Sequence, residues 1–217
     1  PVTATARENK KFLKTADNKR VRFLNHEEAD LLLDELKSRS QQLHDICQLS
    51  LYTGMRMGEI FNLSWNDIDL EHENISIKDP KSGESRNAYI TPPLSKLFQR
   101  IKDNASKANG LVFKSSNGKK IREISNVFNR VTEKLGLNKN VTDQRDKVVA
   151  HTLRHTFASW LAMQGEPIIT IQKLMGHSSL EMTLRYAHLS PSHERDAVTK
   201  LAKGKRNKVV NLKTKNR

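Results

Sequence analysis

The chain has 217 residues, 36% of them hydrophobic and 29% charged, with 9 Gly and 6 Pro, which excludes a largely disordered polypeptide and suffices for one substantial domain with a core. No stretch approaches the ~20 apolar residues of a membrane span and no signal-peptide pattern opens the chain, so a cytoplasmic protein without a membrane partner is expected. The formal net charge of +14 sits at the ends, in residues 1–22 and 200–217, so charge alone fits solvated tails as well as nucleic acid.

Residues 1–22 read as a basic lead-in. At Asn25 the run NHEEADLLLDEL offers an N-cap, acids in the first turn and a leucine stripe, which predicts a helix. Gln41 to Thr53 continues as a more apolar helix stopped by Gly54. It carries the single cysteine, Cys47, in an apolar setting that reads as a buried thiol. A short third helix spans Met57 to Leu63. Asn74 to Lys78 and Ser85 to Ile90 alternate around Asp79-Pro80-Lys81-Ser82-Gly83-Glu84, which predicts a hairpin. Helical spacing returns from Leu94 to Ser106, a short strand is expected at Gly110 to Phe113, and a helix at Ile121 to Leu135. Residues 136–150 are poorly patterned.

Three helices are then expected, Thr152 to Gln164, Pro167 to Met175 and Ser179 to His188, with Ser178 and Glu181 forming a capping box and Tyr186 over two turns in. Pro191 opens a last helix toward Lys203, before a basic, disordered tail at 204–217. The predicted fold is mainly α with a small antiparallel β-sheet, as one domain over residues 23–203.

Three clusters carry chemistry. In His151-Thr152-Leu153-Arg154-His155-Thr156, His151 and Arg154 share a helix face near an N-terminus, an arrangement suited to a phosphate. By itself it equally describes a surface histidine and a solvated arginine. In Gly176-His177 followed by Arg185-Tyr186, the tyrosine alone reads as a half-buried anchor. In Thr53-Gly54-Met55-Arg56-Met57-Gly58-Glu59, an arginine follows a glycine turn and alone reads as a capped helix end. His151, His155 and His188 invite a zinc reading, but no Glu follows His151 as in zinc proteases, and no metal or other cofactor is expected. Trp65, Trp160 and His155 read as structural.

Together and in order, LYTGMRMGEIFNLSW, DPKSGESRNAYITP, HTLRHTFASWLA and LMGHSSLEMTLRYAHLSP resemble the tyrosine recombinase, or phage integrase, family over roughly residues 25–195. The resemblance implies that family's catalytic-domain fold and a site-specific recombinase that cuts and rejoins double-stranded DNA through a 3′-phosphotyrosine, without metal or ATP. It places the active set on Arg56, Lys81, His151, Arg154, His177 and Tyr186, with Glu59 supporting the first arginine. Tyr186 would be the nucleophile, Arg56 and Arg154 the clamp on the nonbridging oxygens, and Lys81 the acid for the leaving 5′-oxygen. His151 would take the proton of Tyr186 and His177 would bond the phosphate, two roles that could be exchanged. Lys78 competes with Lys81, since Pro80 stands where the family has Thr.

The family also implies a homotetramer on two duplexes, with the C-terminal segment docked on a neighbour, accessory DNA-bending or directionality proteins, and an N-terminal clamping domain on a longer protein. The wording around Tyr186 looks most like integrases of prophages or genomic islands, with chromosome-dimer resolvases possible. The rival readings are a DNA-binding regulator that has lost catalysis and a type IB topoisomerase-like enzyme.

Overall fold

In a computed structural model of the chain, the described residues are 22–78, 85–104, 110–191 and 198–199. The lead-in at 1–21, the turn that holds Lys81, nearly all of the helix expected after Pro191 and the basic tail lie outside them. Among the described residues, helices and a three-stranded antiparallel sheet follow in chain order: α1 (His26–Arg39), α2 (Gln41–Thr53), α3 (Met57–Asn62), β1 (Ile68–Asp69), β2 (Asn74–Lys78), β3 (Ser85–Tyr89), α4 (Pro92–Asp103), α5 (Val127–Lys134), α6 (Ala150–Met163), α7 (Ile168–Met175) and α8 (Glu181–Leu184). Short 3₁₀ turns cover Trp65–Asp67 and Ala187–Leu189.

The middle of this structure is α2, apolar on most of its circumference because α1, α3, α4 and α6 pack around it. Asn25 caps α1 through the amide of Glu28, while the Glu28 carboxylate reaches back to the Asn25 amide, so the acidic first turn starts the helix as expected. One apolar cluster joins α2 and α3 to the sheet and α4 through Ile46, Leu49, Ile60, Ile75 and Phe98. A second joins α1, α5 and the start of α6 through Leu32, Leu36, Cys47, Phe128 and Leu153. Burial pushes the Cys47 thiol well up, which leaves it an inert core group. Arg100 on α4 donates to the buried carboxylate of Asp45 at 2.7 Å and pins α4 to α2.

Strand β2 pairs in register with β3, Ile75 opposite Ala88 and Ile77 opposite Arg86, so the hairpin read from alternation is present. Strand β1 adds a third strand, at the sheet's edge beside β2, that two residues are too short to announce. The strand expected at Gly110 to Phe113 is a single bridge, Leu111 to Ser64, in which the amides of Trp65 and Val112 donate to the carbonyls of Gly110 and Leu63. The helix expected from Ile121 begins at Val127. Ile121 and Ile124 pack on the first core from non-helical chain that follows a bridge between Lys114 and Lys120.

The unpatterned stretch before α6 is held by Asn138, whose amide group donates to the Val148 carbonyl at 3.1 Å and accepts from its amide at 2.7 Å. That fixes where α6 starts, and the Thr152 hydroxyl then accepts from the amide of Val149 at 3.0 Å. Thr156 and Trp160 of α6 bind the Leu24 backbone at 2.9 and 3.0 Å.

Gly54 ends α2 in the left-handed region, φ 66°, and a Cβ there would stand 2.5 Å from the Phe157 ring. Gly54→Ala should therefore cost roughly 2–3 kcal/mol, adding backbone strain to overpacking. Thermal unfolding should show a midpoint several degrees lower. Gly58→Ala, with nothing within 4 Å, should not lower it.

Candidate active site

Four chain segments converge at one end of the helical body. Arg56 lies at the N-cap of α3, immediately beyond the Gly54 turn, and Arg154 projects from the second turn of α6. His177 follows Gly176, which ends α7 in the left-handed region at φ 60°. Arg185 and Tyr186 follow α8. With His151, His155, Met175 and Met182 they enclose a cavity of about 90 Å³. Among the described residues its wall holds three guanidiniums, three imidazoles and a phenol, and no carboxylate. A larger cleft of about 870 Å³ carries Lys119, Lys120 and Arg122 beside Phe61, but no phenol or imidazole. Chemistry, not volume, points to the smaller one.

Arg154 is 2% exposed. Its two terminal nitrogens donate to the carbonyls of Gly54 and Met175, joining the ends of α2 and α7. Burial, then the charge of Arg56, brings its pKa down to about 9, so it remains cationic at neutral pH. Arg56 donates to Glu59 at 2.9 Å and to the Gly176 carbonyl at 3.4 Å, with its side chain 36% exposed.

Glu59 is shared. Arg86 of β3 grips both its oxygens at 2.9 and 2.7 Å and also donates to the Leu174 carbonyl at 3.2 Å. The hairpin, α3 and the end of α7 are thereby tied together around Arg56. Sequence reasoning missed Arg86; the only signal was its place on β3 within the resembling hairpin segment. Burial alone would raise the Glu59 carboxyl, but the hydrogen bonds and charge of Arg86 outweigh it and hold the pKa at about 2. The depression below the ordinary 4.5 means the stabilisation is complete above about pH 4.5 and is lost as pH falls toward 2. It amounts to on the order of 3 kcal/mol at neutral pH. Glu59→Gln should remove most of that, and its stability should fall less steeply than wild type between pH 4.5 and 2 in acid titrations.

Tyr186 is 4% exposed, and burial lifts its phenol to about 12 against the pull of Arg185 and Arg154. Its hydroxyl shares a 2.6 Å hydrogen bond with Nδ1 of His155. The reading of His155 as merely structural is thus incomplete. His151 is exposed, and its ring stands edge-on to that of His155 at 4.7 Å. Burial first, then the charges of Arg154, Arg56, Arg185 and Arg86, hold the His177 pKa at about 3, so its ring is neutral at ordinary pH. Its Nδ1 bonds the Thr183 hydroxyl at 2.9 Å.

The long helix expected at Ser179 to His188 is replaced by the single turn α8 and a 3₁₀ turn, and Tyr186 stands between them instead of two turns into a helix. The expected Ser178 cap is absent as well: α8 starts after Leu180, and the Ser178 hydroxyl contacts Met182 Sδ at 3.8 Å. Lys81 lies outside the described residues. Lys78 ends β2 exposed, 3.5 Å from Asp67. Among the described residues no group of three His, Cys, Asp or Glu side chains could hold a metal ion, and no helix is long and apolar enough to cross a membrane.

Residues 22–193 match the model of the Phage integrase family. The chain is 33% identical to the integrase of Salmonella phage P22 over 81% of its own length and 46% of that protein. It is similar to the catalytic domain of bacteriophage HP1 integrase, with a TM-score of 0.63 and 29% identity over 82% of this chain and 93% of that one. It shares its fold with the Tn1549 transposon integrase in complex with a circular intermediate DNA, with a TM-score of 0.70 and 22% identity over 86% of this chain and 67% of that one. The chain spans about half the length of the curated relatives it matches.

Proposed function

This chain belongs to the phage integrase family, and from that premise we propose that it is the catalytic part of a site-specific tyrosine recombinase acting on double-stranded DNA. The observation that carries the reading is the cavity in which Tyr186 meets three guanidiniums and three imidazoles, with no carboxylate among the described residues of its walls. Such a wall favours a bound phosphate and, more strongly, the extra negative charge a phosphorane develops on its nonbridging oxygens.

In this reading the Tyr186 oxygen attacks a phosphodiester, the Oη–P bond forms and the bond to the 5′-oxygen breaks. The 3′-phosphotyrosine conserves the energy needed for rejoining. Arg56 and Arg154 brace the nonbridging oxygens, and Lys81 protonates the leaving oxygen. His177 is neutral and bonds Thr183 through Nδ1; in the tautomer this reading requires, its proton lies on Nε2 and is offered as a hydrogen bond to the phosphate, with His151 beside it. The Tn1549 integrase structure contains DNA, which supports the same partner here. The biological setting we propose is integration or excision of a prophage or genomic island, by four protomers on two duplexes that are weakly associated or monomeric without DNA, with accessory bending or directionality proteins.

The test uses labelled duplex DNA of the cognate site, nicked so that the 5′-fragment diffuses away after cleavage. A covalent protein–DNA adduct should form in excess EDTA and should fall steeply as salt rises, because phosphate contacts dominate the affinity. Loss of the adduct in EDTA with recovery on adding Mg²⁺ or Zn²⁺ would contradict the mechanism.

A further inference from the structure

The residue on the reacting oxygen of Tyr186 is His155, one turn beyond His151 on α6. Both partners are buried, His155 at 7% and Tyr186 at 4% exposure, and both face the cavity that would hold the phosphate. The other two cavity imidazoles sit differently: His151 is exposed, and His177 is engaged with Thr183 at 2.9 Å. A buried phenol stays protonated at neutral pH and cannot attack until a neighbour takes its proton. The 2.6 Å separation is within the range proton transfer requires.

We infer that His155, through Nδ1, is the proton acceptor for Tyr186 in the strand-cleavage step. The inference rests on the function proposed above. During cleavage the phenolic proton passes to Nδ1 as the Oη–P bond forms and the P–O5′ bond breaks, and the 5′-oxygen takes its proton from the acid assigned to Lys81. During rejoining the incoming 5′-hydroxyl returns its proton to that acid, and the imidazolium returns the other to the departing phenolate. His155 must keep its second proton on Nε2 throughout, as a neutral acceptor at Nδ1 does. The charged and titratable groups around it are His151 and Arg154 on α6, Arg56 before α3, His177 after α7, and Arg185 with Tyr186 after α8.

The decisive variant is His155→Gln, which can bond the phenol but cannot accept its proton. Adduct formation by this chain on the nicked duplex is followed in single turnover from pH 6 to 10. His155→Gln should be slower at pH 7 by on the order of 10²–10⁴. Its rate should then climb about tenfold per pH unit as hydroxide replaces the missing base, approaching wild type at the alkaline end. His151→Gln should be slowed by a similar factor at every pH, keeping the wild-type profile shape. A His155→Gln profile parallel to wild type, or the tenfold climb appearing in His151→Gln instead, would overturn the assignment. Should His155→Gln not fold, histidine ¹⁵N spectra of wild type and Tyr186→Phe decide. The Nδ1 resonance of His155 should move on loss of the hydroxyl, and movement of His151 alone would overturn the inference. No adduct from the wild-type chain would contradict the proposed function, and this inference with it; an adduct with an unaltered His155→Gln contradicts only the inference.

Discussion

Tyr186→Phe is expected to abolish the covalent DNA adduct, by a factor on the order of 10⁴–10⁶ or to below detection, with the fold intact. The substitution removes one oxygen from a ring packed against Ala158, Ala162, Ile171 and Met175, and leaves those apolar contacts in place. The lost hydrogen bond to His155 faces a cavity of about 90 Å³, large enough for a water molecule to substitute. The stability change should therefore stay within about 1–2 kcal/mol, read from thermal unfolding. Retained binding of the nicked duplex in a gel shift, beside a lost adduct, would separate chemistry from affinity. An adduct that survives in Tyr186→Phe would mean that another side chain attacks the phosphate.

The second large effect concerns the two arginines, which should respond differently to the same substitution. Arg154→Lys keeps the charge but cannot reach both the Gly54 and Met175 carbonyls, so a buried acceptor is stranded and α2 and α7 lose their tie. It should slow adduct formation by on the order of 10²–10³ and also destabilise the fold by about 1–3 kcal/mol. Arg56→Lys should slow adduct formation comparably, because a single ammonium does not reproduce the guanidinium fork. Its stability loss should be small, since the Arg56 side chain is 36% exposed and Glu59 keeps Arg86. Single-turnover rates and melting curves on both variants check this. A wild-type rate in either would make that arginine structural.

What the amino-acid sequence announced was the part written in local physics. The acidic first turn and leucine stripe of α1, the apolar run of α2 before Gly54, and the alternation that sets Ile75 against Ala88 all rest on neighbours in the chain. The region around Tyr186 does not. The capping box read at Ser178 and Glu181 implies a continuous helix to His188, yet Leu180 and Leu184, at helical spacing within that span, are exposed, 39% and 50%, and form no core-facing stripe. Instead the chain turns at Arg185 so that Tyr186 packs inward, while the Thr183 hydroxyl is committed to His177. The tie from Glu59 to Arg86 crosses 27 positions and the contact of His155 with Tyr186 crosses 31. No periodicity carries such pairings. In the same way Asn138, in a stretch that looked featureless, proves to hold the entry to α6 by two hydrogen bonds to Val148.

In the proposed reaction the phenol of Tyr186 becomes bonded to DNA. The direct measurement is to trap the adduct on the labelled nicked duplex, digest protein and DNA, and identify by mass spectrometry the residue that retains a nucleotide. A 3′-phosphonucleotide on Tyr186 is expected, released with an unmodified 5′-hydroxyl fragment. A nucleotide on Tyr52, on Tyr89 or on a serine, or a 5′-linked product, would contradict it.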